Sequence, residues 1–213
     1  MNTSRTLLNI VIAAFIAGLT GALAQVRFNI GPVPYTMQNL GVMLAGLLLP
    51  PFYAFLSMLL YIAMIAIGLP LASGFHGGLA VLVGYTGGYL IGFVIASPIM
   101  SILTRKYLRR IGKELHNIGF KEFLVILAFT VIAAMPIYLL GFTVFAYYAL
   151  HQTPLYMWSR TAASFFKMSI NSELMTIFVA SVLIFMPQDI FMDHVIAILV
   201  AKGVSRILSV RGI

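Results

Sequence analysis

Two acidic residues and a histidine near the end of the chain are the first candidates for chemistry. Asp189 and Asp193 are four residues apart and share one face of a helix, with His194 adjacent. A carboxylate inside a bilayer costs about 2.5–3.5 kcal/mol on insertion scales, so it indicates function. The structural alternative is a helix cap at Asp189, with Asp193 favoured by the helix dipole. A metal or hydrolytic site is disfavoured, because adjacent residues on a helix do not face one cavity.

Two further segments carry neutral polar groups and glycine. Residues 32–38, Pro-Val-Pro-Tyr-Thr-Met-Gln, bring Thr36 and Gln38 to the start of a helix after an extended proline loop. Residues 74–78 and 84–93 are rich in glycine, which lets a ligand or another helix approach the backbone closely. The structural alternatives are a helix cap at Thr36 and close packing between helices.

The composition indicates whether water or lipid surrounds the chain. The chain has 213 residues, of which 62% are hydrophobic and 8% charged, and its mean hydropathy is +1.05. Soluble domains carry roughly 25% charged residues, so lipid must solvate this chain. At about 20 residues per span, we predict an all-α membrane protein of six transmembrane helices in a single integral membrane domain, residues 1–213. The chain contains no cysteine, which excludes disulfides, thiol catalysis and thiolate metal sites.

Apolar runs between charged and Pro/Gly-rich segments define the predicted helices. The predicted ranges are 7–25, 36–49, 52–67, 79–103, 122–150 and a last helix from about 189. A short helix or re-entrant segment is expected before Pro187, and the path of residues 151–186 stays open. The first run exceeds the usual length of a signal-peptide core, so we expect it to be retained as a helix.

The basic residues predict the orientation in the membrane. Ten of the thirteen lie in the N-terminus, the 105–121 loop and the C-terminus, so the positive-inside rule places both termini in the cytoplasm. The exceptions are Arg27, Arg160 and Lys167. The complex loops 26–35, 68–78 and 151–172 then lie outside and form a cup that opens outward. The net charge of +8 is thereby assigned to anionic lipid rather than to nucleic acid.

Small residues recur at every fourth position of the first helix, which lets a second helix come close. One row is Ala13, Ala17 and Gly21, and the row beside it is Ala14, Gly18 and Ala22. The partner helix belongs either to this chain or to another subunit, and the sequence alone leaves both open.

Three motifs together resemble the BioY family, the biotin-binding S components of energy-coupling-factor (ECF) transporters. They are residues 32–38, the run Thr-Gly-Gly-Tyr-Leu-Ile-Gly-Phe at 86–93 and Pro187-Gln188-Asp189, in matching order over most of the chain. The resemblance implies an ECF S-component-like fold with an outward-facing biotin site, without enzymatic activity or a cofactor. It also implies a plasma-membrane location and, as partners, a transmembrane T component and two cytoplasmic ATPase subunits.

The resemblance also implies roles for individual residues. Asp189 becomes a polar partner of the biotin head group. The other residues expected to line the pocket are Thr36, Gln38, Gly78, Thr86 and Tyr89. The row Ala13, Ala17 and Gly21 is expected to dock on the T component.

Two positions depart from the family pattern. The family usually has a lysine three residues after the aspartate of the last helix, where this chain has Met192. It also has proline where this chain has Tyr85. We therefore hypothesise that Lys167 or Arg160 neutralises the biotin carboxylate, which charge-neutral substitutions of both would test.

Two alternative functions stay open at this point. The changes at Met192 and Tyr85 fit an S component for a different vitamin. An intramembrane enzyme using Asp189 and Asp193 is the alternative from another class. Binding of labelled biotin, with Asp189→Ala as the control, separates them, because each reading predicts a different outcome: binding of biotin, binding of another vitamin, or chemical conversion.

Overall fold

The computed structural model describes residues 3–28, 33–165 and 172–210, which are almost entirely helical. Within these residues, four helical stretches are long and apolar enough to cross a membrane, and two shorter apolar helices lie between the first two of them. The long stretches are Arg5–Leu23, Gly87–Ile111, Phe120–His151 and Glu173–Ser209; the shorter helices are Gln38–Leu48 and Pro51–Ala66. The predicted all-α membrane fold is therefore confirmed.

The N-terminal half contains three helices and a small hairpin. The elements are α1 (Thr3–Leu23), β1 (Arg27–Phe28), β2 (Tyr35–Thr36), α2 (Gln38–Leu48) and α3 (Pro51–Ala66). The two strands are antiparallel, with Arg27 opposite Thr36. Pro51 begins α3, as expected for a residue with a fixed φ and no N–H to leave unpaired. The last carbonyls before this turn, those of Leu48 and Leu49, accept hydrogen bonds from the Arg105 guanidinium.

The helix predicted over 79–103 is instead two helices, α4 (Leu79–Val83) and α5 (Gly87–Ile111). Gly84 is extended at the break, with φ −75° and ψ 175°. The predicted end of this helix is also wrong, because α5 continues to Ile111. Gly112 caps it, with a φ of +64° that favours glycine at a helix end. The basic side chains of residues 105–110 therefore lie on the last turns of a helix, where its dipole favours them.

Glycines of the 84–93 run let α5 pack closely against α6 (Phe120–His151). A β-carbon on Gly92 would lie 2.5 Å from Cα of Ile137, and one on Gly88 would collide with the carbonyl of Leu140. The close-packing alternative for this glycine run is therefore correct for these two residues.

The C-terminal part is a helical path with irregular turns. A 3₁₀ turn (Leu115–Asn117) lies between α5 and α6, and α6 is followed by α7 (Thr153–Ser164), α8 (Glu173–Phe178), a π-helical turn (Val179–Leu183), α9 (Met186–Gln188), a second π-helical turn (Asp189–His194) and α10 (Val195–Val210). Asp189 has helical φ and ψ, and its N–H donates to the carbonyl of Phe185 at 3.0 Å. The prediction that a helix begins at Asp189, and the cap proposed for it, are therefore wrong. The irregular turns accommodate Pro187 without ending the helix.

The two ends of α5 lie in different surroundings. Its N-terminal residues line a large cavity, whereas Thr104, Arg105, Leu108 and Arg109 line a cleft at its other end. Residues of the 3₁₀ turn and the end of α10 share that cleft. The basic end of α5 and the described loop residues that line the cavity thus lie at opposite ends of this helix.

Candidate functional site

A cavity of about 480 Å³ lies among the N-terminal ends of α2 and α5. The hairpin, the 72–76 loop, the α4–α5 connection, α6 and the segment that follows the first π-helical turn provide its walls. Small-molecule sites in proteins are roughly 300–1,000 Å³, so the cavity suits a ligand of vitamin size.

Five of the six predicted binding residues line this cavity. They are Thr36, Gln38, Thr86, Tyr89 and Asp189. Gly78 is not among the lining residues. Its φ is +94°, and its N–H donates to the carbonyl of Ile65 at 2.7 Å, so it shapes the loop before α4.

Asp189 lies at the buried end of the cavity, with only 4% of its surface exposed. The hydroxyl of Tyr138 donates to its Oδ2 at 2.7 Å, and the side chain of Asn39 also hydrogen-bonds this carboxyl group. Within the described residues, no lysine or arginine forms an ion pair with Asp189. Nor do three His, Asp or Glu side chains in this part of the chain cluster as a metal site would require.

Asp193 holds the start of α2 in place. Its Oδ2 accepts from the N–H of Leu40 at 3.2 Å, and its Oδ1 accepts from Nε2 of Gln188 at 3.1 Å. Met37, the residue before α2, makes no side-chain cap. The expected dipole interaction of Asp193 is therefore made with another helix, α2, and the helix cap considered for Thr36 is absent.

Several predicted residues use their polar groups inside the protein. The hydroxyl of Thr36 donates to Oε1 of Gln38 at 2.8 Å, and Nε2 of Gln38 donates to the Tyr61 hydroxyl at 2.6 Å. The Tyr89 hydroxyl donates to the carbonyl of Ser181 at 2.6 Å. These residues therefore shape the wall, since the hydroxyls of Thr36 and Tyr89 and one N–H of Gln38 already donate within the protein.

Three polar residues that the sequence analysis missed have buried atoms without a partner among the described residues. These atoms are Oδ1 of Asn39, Oγ of Ser73 and Oε1 of Gln188. All three residues line the cavity. An unpaired buried polar atom costs about 1–3 kcal/mol, and a ligand that hydrogen-bonded these atoms would recover that cost. The available signal was proximity in sequence: Asn39 follows Gln38, and Gln188 lies within the motif around Asp189.

Tyr35 packs against Phe185, a residue that lines the cavity. Its ring packs 4.3 Å from that of Phe185, and its hydroxyl donates to the carbonyl of Ile184 at 3.1 Å. Burial, with a smaller contribution from the charge of Asp189, raises the pKa of Tyr35 to about 12. The phenol therefore stays neutral and keeps its donor at physiological pH.

The candidate cations on the predicted outer side occupy different places. Arg160 is exposed on α7 and is not among the cavity-lining residues, and Lys167 lies outside the described residues. Arg27, which the sequence analysis did not select, lines the cavity at its exposed rim.

The row expected to dock on another subunit faces the interior of this chain. Ala13 and Ala17 are 6% and 0% exposed, and a β-carbon on Gly21 would lie 2.8 Å from the Leu71 side chain. The carbonyl of Ala13 accepts from the hydroxyl of Ser57 at 2.8 Å. This row is therefore packed within the chain, and its docking on a T component stays a prediction. The exposed row is the neighbouring one, Ala14, Gly18 and Ala22.

Comparison with known proteins gives a consistent result at the level of sequence. The sequence model described as the BioY family matches residues 1–210. A probable biotin transporter BioY of Pyrococcus horikoshii is 48% identical over 92 residues, which are 43% of this chain and 56% of that protein. The biotin transporter BioY of Rhodobacter capsulatus is 39% identical over 111 residues, 52% of this chain and 56% of that protein. The chain spans about half the length of the curated relatives it matches.

Comparison with solved structures supports the fold. The crystal structure of the S-component for biotin from an ECF-type ABC transporter superposes with a TM-score of 0.73. The superposition covers 97% of this chain and 95% of that one, at 23% sequence identity. The predicted S-component-like fold is therefore confirmed.

Proposed function

The chain belongs to the BioY family, and from this premise we propose that it is the biotin-binding S component of an ECF-type vitamin uptake transporter. It captures biotin on the extracellular side of the membrane. The observation that carries the proposal is the buried end of the cavity, where the unpaired acceptor atoms of Asn39 and Gln188 accompany the carboxyl group of Asp189.

The chemistry of this end suits the ureido ring of biotin, which has two N–H donors and one carbonyl acceptor. Asn39 Oδ1 and Gln188 Oε1 lack donors, and a bound ureido group would supply them. The side chain of Thr86 does not cap its own helix, so its hydroxyl is available for the ureido carbonyl. Each such hydrogen bond is worth about 0.5–1.5 kcal/mol, and more where Asp189 takes part.

The rest of the cavity suits the apolar part of biotin. Side chains of Val33, Leu90, Phe93, Ile137 and Phe185 line it. The sulfur-containing ring and the valerate chain present hydrocarbon surface, whose transfer from water contributes roughly 25 cal/mol per Å² buried. Polar anchors at one end and apolar walls beside them are the usual design of a small-molecule receptor.

Equilibrium binding of labelled biotin to the purified protein tests the proposal. Asp189→Ala is expected to lower affinity by about 10- to 100-fold, the value of a hydrogen bond to a charged group. Glu173→Ala, at an exposed helix start away from the cavity, is the matched control and is expected to bind normally. Tight binding of another vitamin would favour a different S component, and conversion of a ligand would favour an enzyme.

For the partners, we propose a transmembrane T component and two cytoplasmic ATPase subunits. The exposed row Ala14, Gly18 and Ala22 offers a flat surface on α1, and a β-carbon on Gly18 would meet nothing within 4 Å. Gly18→Leu is expected to reduce co-purification with the T component while biotin binding is kept. Normal co-purification of that variant would remove α1 from the proposed interface.

A further inference from the structure

The exposed rim of the cavity carries a single guanidinium among its described lining residues, that of Arg27. In the described part of the chain, no Asp or Glu forms an ion pair with it. Asp189, the carboxyl group lining the cavity, lies at the buried end. The cavity therefore has opposite charges at its two ends.

Other polar groups lie beside Arg27. The hydroxyl of Ser73 is buried and has no partner among the described residues, and Ser73 lines the cavity. Nδ1 of His76 is 2.8 Å from the carbonyl of Ser73, so it must be the protonated nitrogen that donates. The rim thus offers a fixed charge, and beside it lies a buried hydroxyl that has no partner among the described residues.

The backbone around the rim keeps Arg27 in position. Gln25 joins the start of the hairpin to the 72–76 loop: its Oε1 accepts from the N–H of Phe75 at 2.9 Å, and its Nε2 donates to the carbonyl of Ala72 at 3.0 Å. Gly74 leaves space for the guanidinium, since a β-carbon there would lie 2.5 Å from Nη1 of Arg27.

We propose that Arg27, assisted by the hydroxyl of Ser73, binds the carboxylate of biotin at the rim of the cavity. The inference rests on the proposed function and assigns the orientation of the ligand: the ureido ring lies near Asp189 and the carboxylate near Arg27. Met192, the position where the family usually has lysine, is 41% exposed and is not among the lining residues, so this chain neutralises the carboxylate from the hairpin instead. A charge-assisted contact to guanidinium is about twice as strong as a neutral hydrogen bond.

Binding of biotin and of biotin methyl ester to the purified protein tests this role, because the ester lacks the negative charge. The wild-type protein is expected to prefer biotin by about tenfold. Arg27→Gln is expected to remove the preference by weakening biotin and leaving the ester unchanged, and Arg27→Lys to restore most of it. Ser73→Ala is expected to lower biotin affinity a few-fold. Arg110→Gln, an exposed arginine at the other end of α5, is the matched control.

Each outcome separates this inference from the proposed function. If the wild-type protein binds neither compound, the proposed function itself is wrong. If it binds biotin and Arg27→Gln retains the preference over the ester, biotin binding stands and the role of Arg27 is overturned. Loss of the preference in Arg160→Gln instead would assign the carboxylate to α7.

Discussion

At the scale of single residues, the side chains that line the cavity fall into two groups. Some are hydrogen-bonded within the protein, and others have polar atoms that a ligand could pair with. Gln38 and Tyr89 are lining residues, yet one N–H of Gln38 and the hydroxyl of Tyr89 donate inside the protein. Asn39 and Gln188 keep acceptor atoms without partners in the described structure. Substitution of the first group is therefore expected to reduce stability, and substitution of the second to reduce affinity.

Gly74 offers a test of the position of Arg27 that leaves Arg27 itself unchanged. Its φ is +77°, and a β-carbon there would displace the guanidinium of Arg27. We expect Gly74→Ala to lower biotin affinity by about tenfold, as expected for Arg27→Gln, because the same charge is moved away. Isothermal titration of the purified variant measures this.

Gly68→Ala is the control for Gly74→Ala. Its φ is +98°, but a β-carbon there would meet nothing within 4 Å. Gly68→Ala therefore introduces comparable backbone strain at a residue that does not line the cavity. Equal loss of affinity in both variants would show that strain, and not displacement of Arg27, causes the effect.

The candidate binding residues could be predicted only in part from the sequence. Thr36, Thr86 and Asp189 belong to motifs whose order along the chain carried the family resemblance. Whether a polar atom is left unpaired depends on neighbours far away in sequence, as for Oε1 of Gln188. Arg27 was passed over for the same reason, since the 72–76 loop defines its surroundings.

At the scale of elements, close helix packing explains the glycine-rich run of α5. We expect Gly92→Ala to destabilise the protein by about 1–3 kcal/mol, because the added methyl group would collide with the Ile137 backbone of α6. Gly203→Ala in α10 is the matched control, since nothing lies within 4 Å there and alanine favours helix. Thermal unfolding in detergent measures both, and equal stability of the two variants would contradict the packing argument.

The second element-scale prediction concerns the start of α2. Asp193→Leu is expected to cost about 0.5–2 kcal/mol of stability, because the N–H of Leu40 loses its acceptor. Asp193→Asn keeps one acceptor oxygen and is expected to restore most of the loss. If both variants unfold at the same temperature as the wild type, this contact does not stabilise α2.

The sequence alone did not predict which face of α1 is buried, nor where some of the helices begin and end. The two rows of small residues on α1 have nearly the same composition, so only the packed structure distinguishes the buried row from the exposed one. Pro187 was expected to interrupt the last apolar stretch, with a new helix from about Asp189, but the neighbouring π-helical turns let the helical path continue through the proline. The break at Gly84 followed from local backbone conformation that periodicity does not report.

At the scale of the whole molecule, the charge distribution predicts the sidedness. The chain has no cysteine, so single cysteines can be introduced at exposed positions of the two ends. Gln152→Cys, after α6, is expected to react with a membrane-impermeant maleimide in intact cells, and Asn117→Cys, in the 3₁₀ turn, only after lysis. The reverse pattern would place the cavity in the cytoplasm and remove the basis for uptake.

The two π-helical turns have a consequence for the spacing of residues along the final helical path. Each such turn holds roughly one residue more than an α-helical turn, so it shifts the angular phase of everything beyond it by about 100°. The Tyr89 hydroxyl donates to the carbonyl of Ser181, and the Tyr35 hydroxyl donates to the carbonyl of Ile184. Both carbonyls lie within or next to the first of these turns. A one-residue deletion between 179 and 183 would rewind that turn and rotate both acceptors away from their tyrosines. The length of this segment is thus constrained more tightly than its side chains.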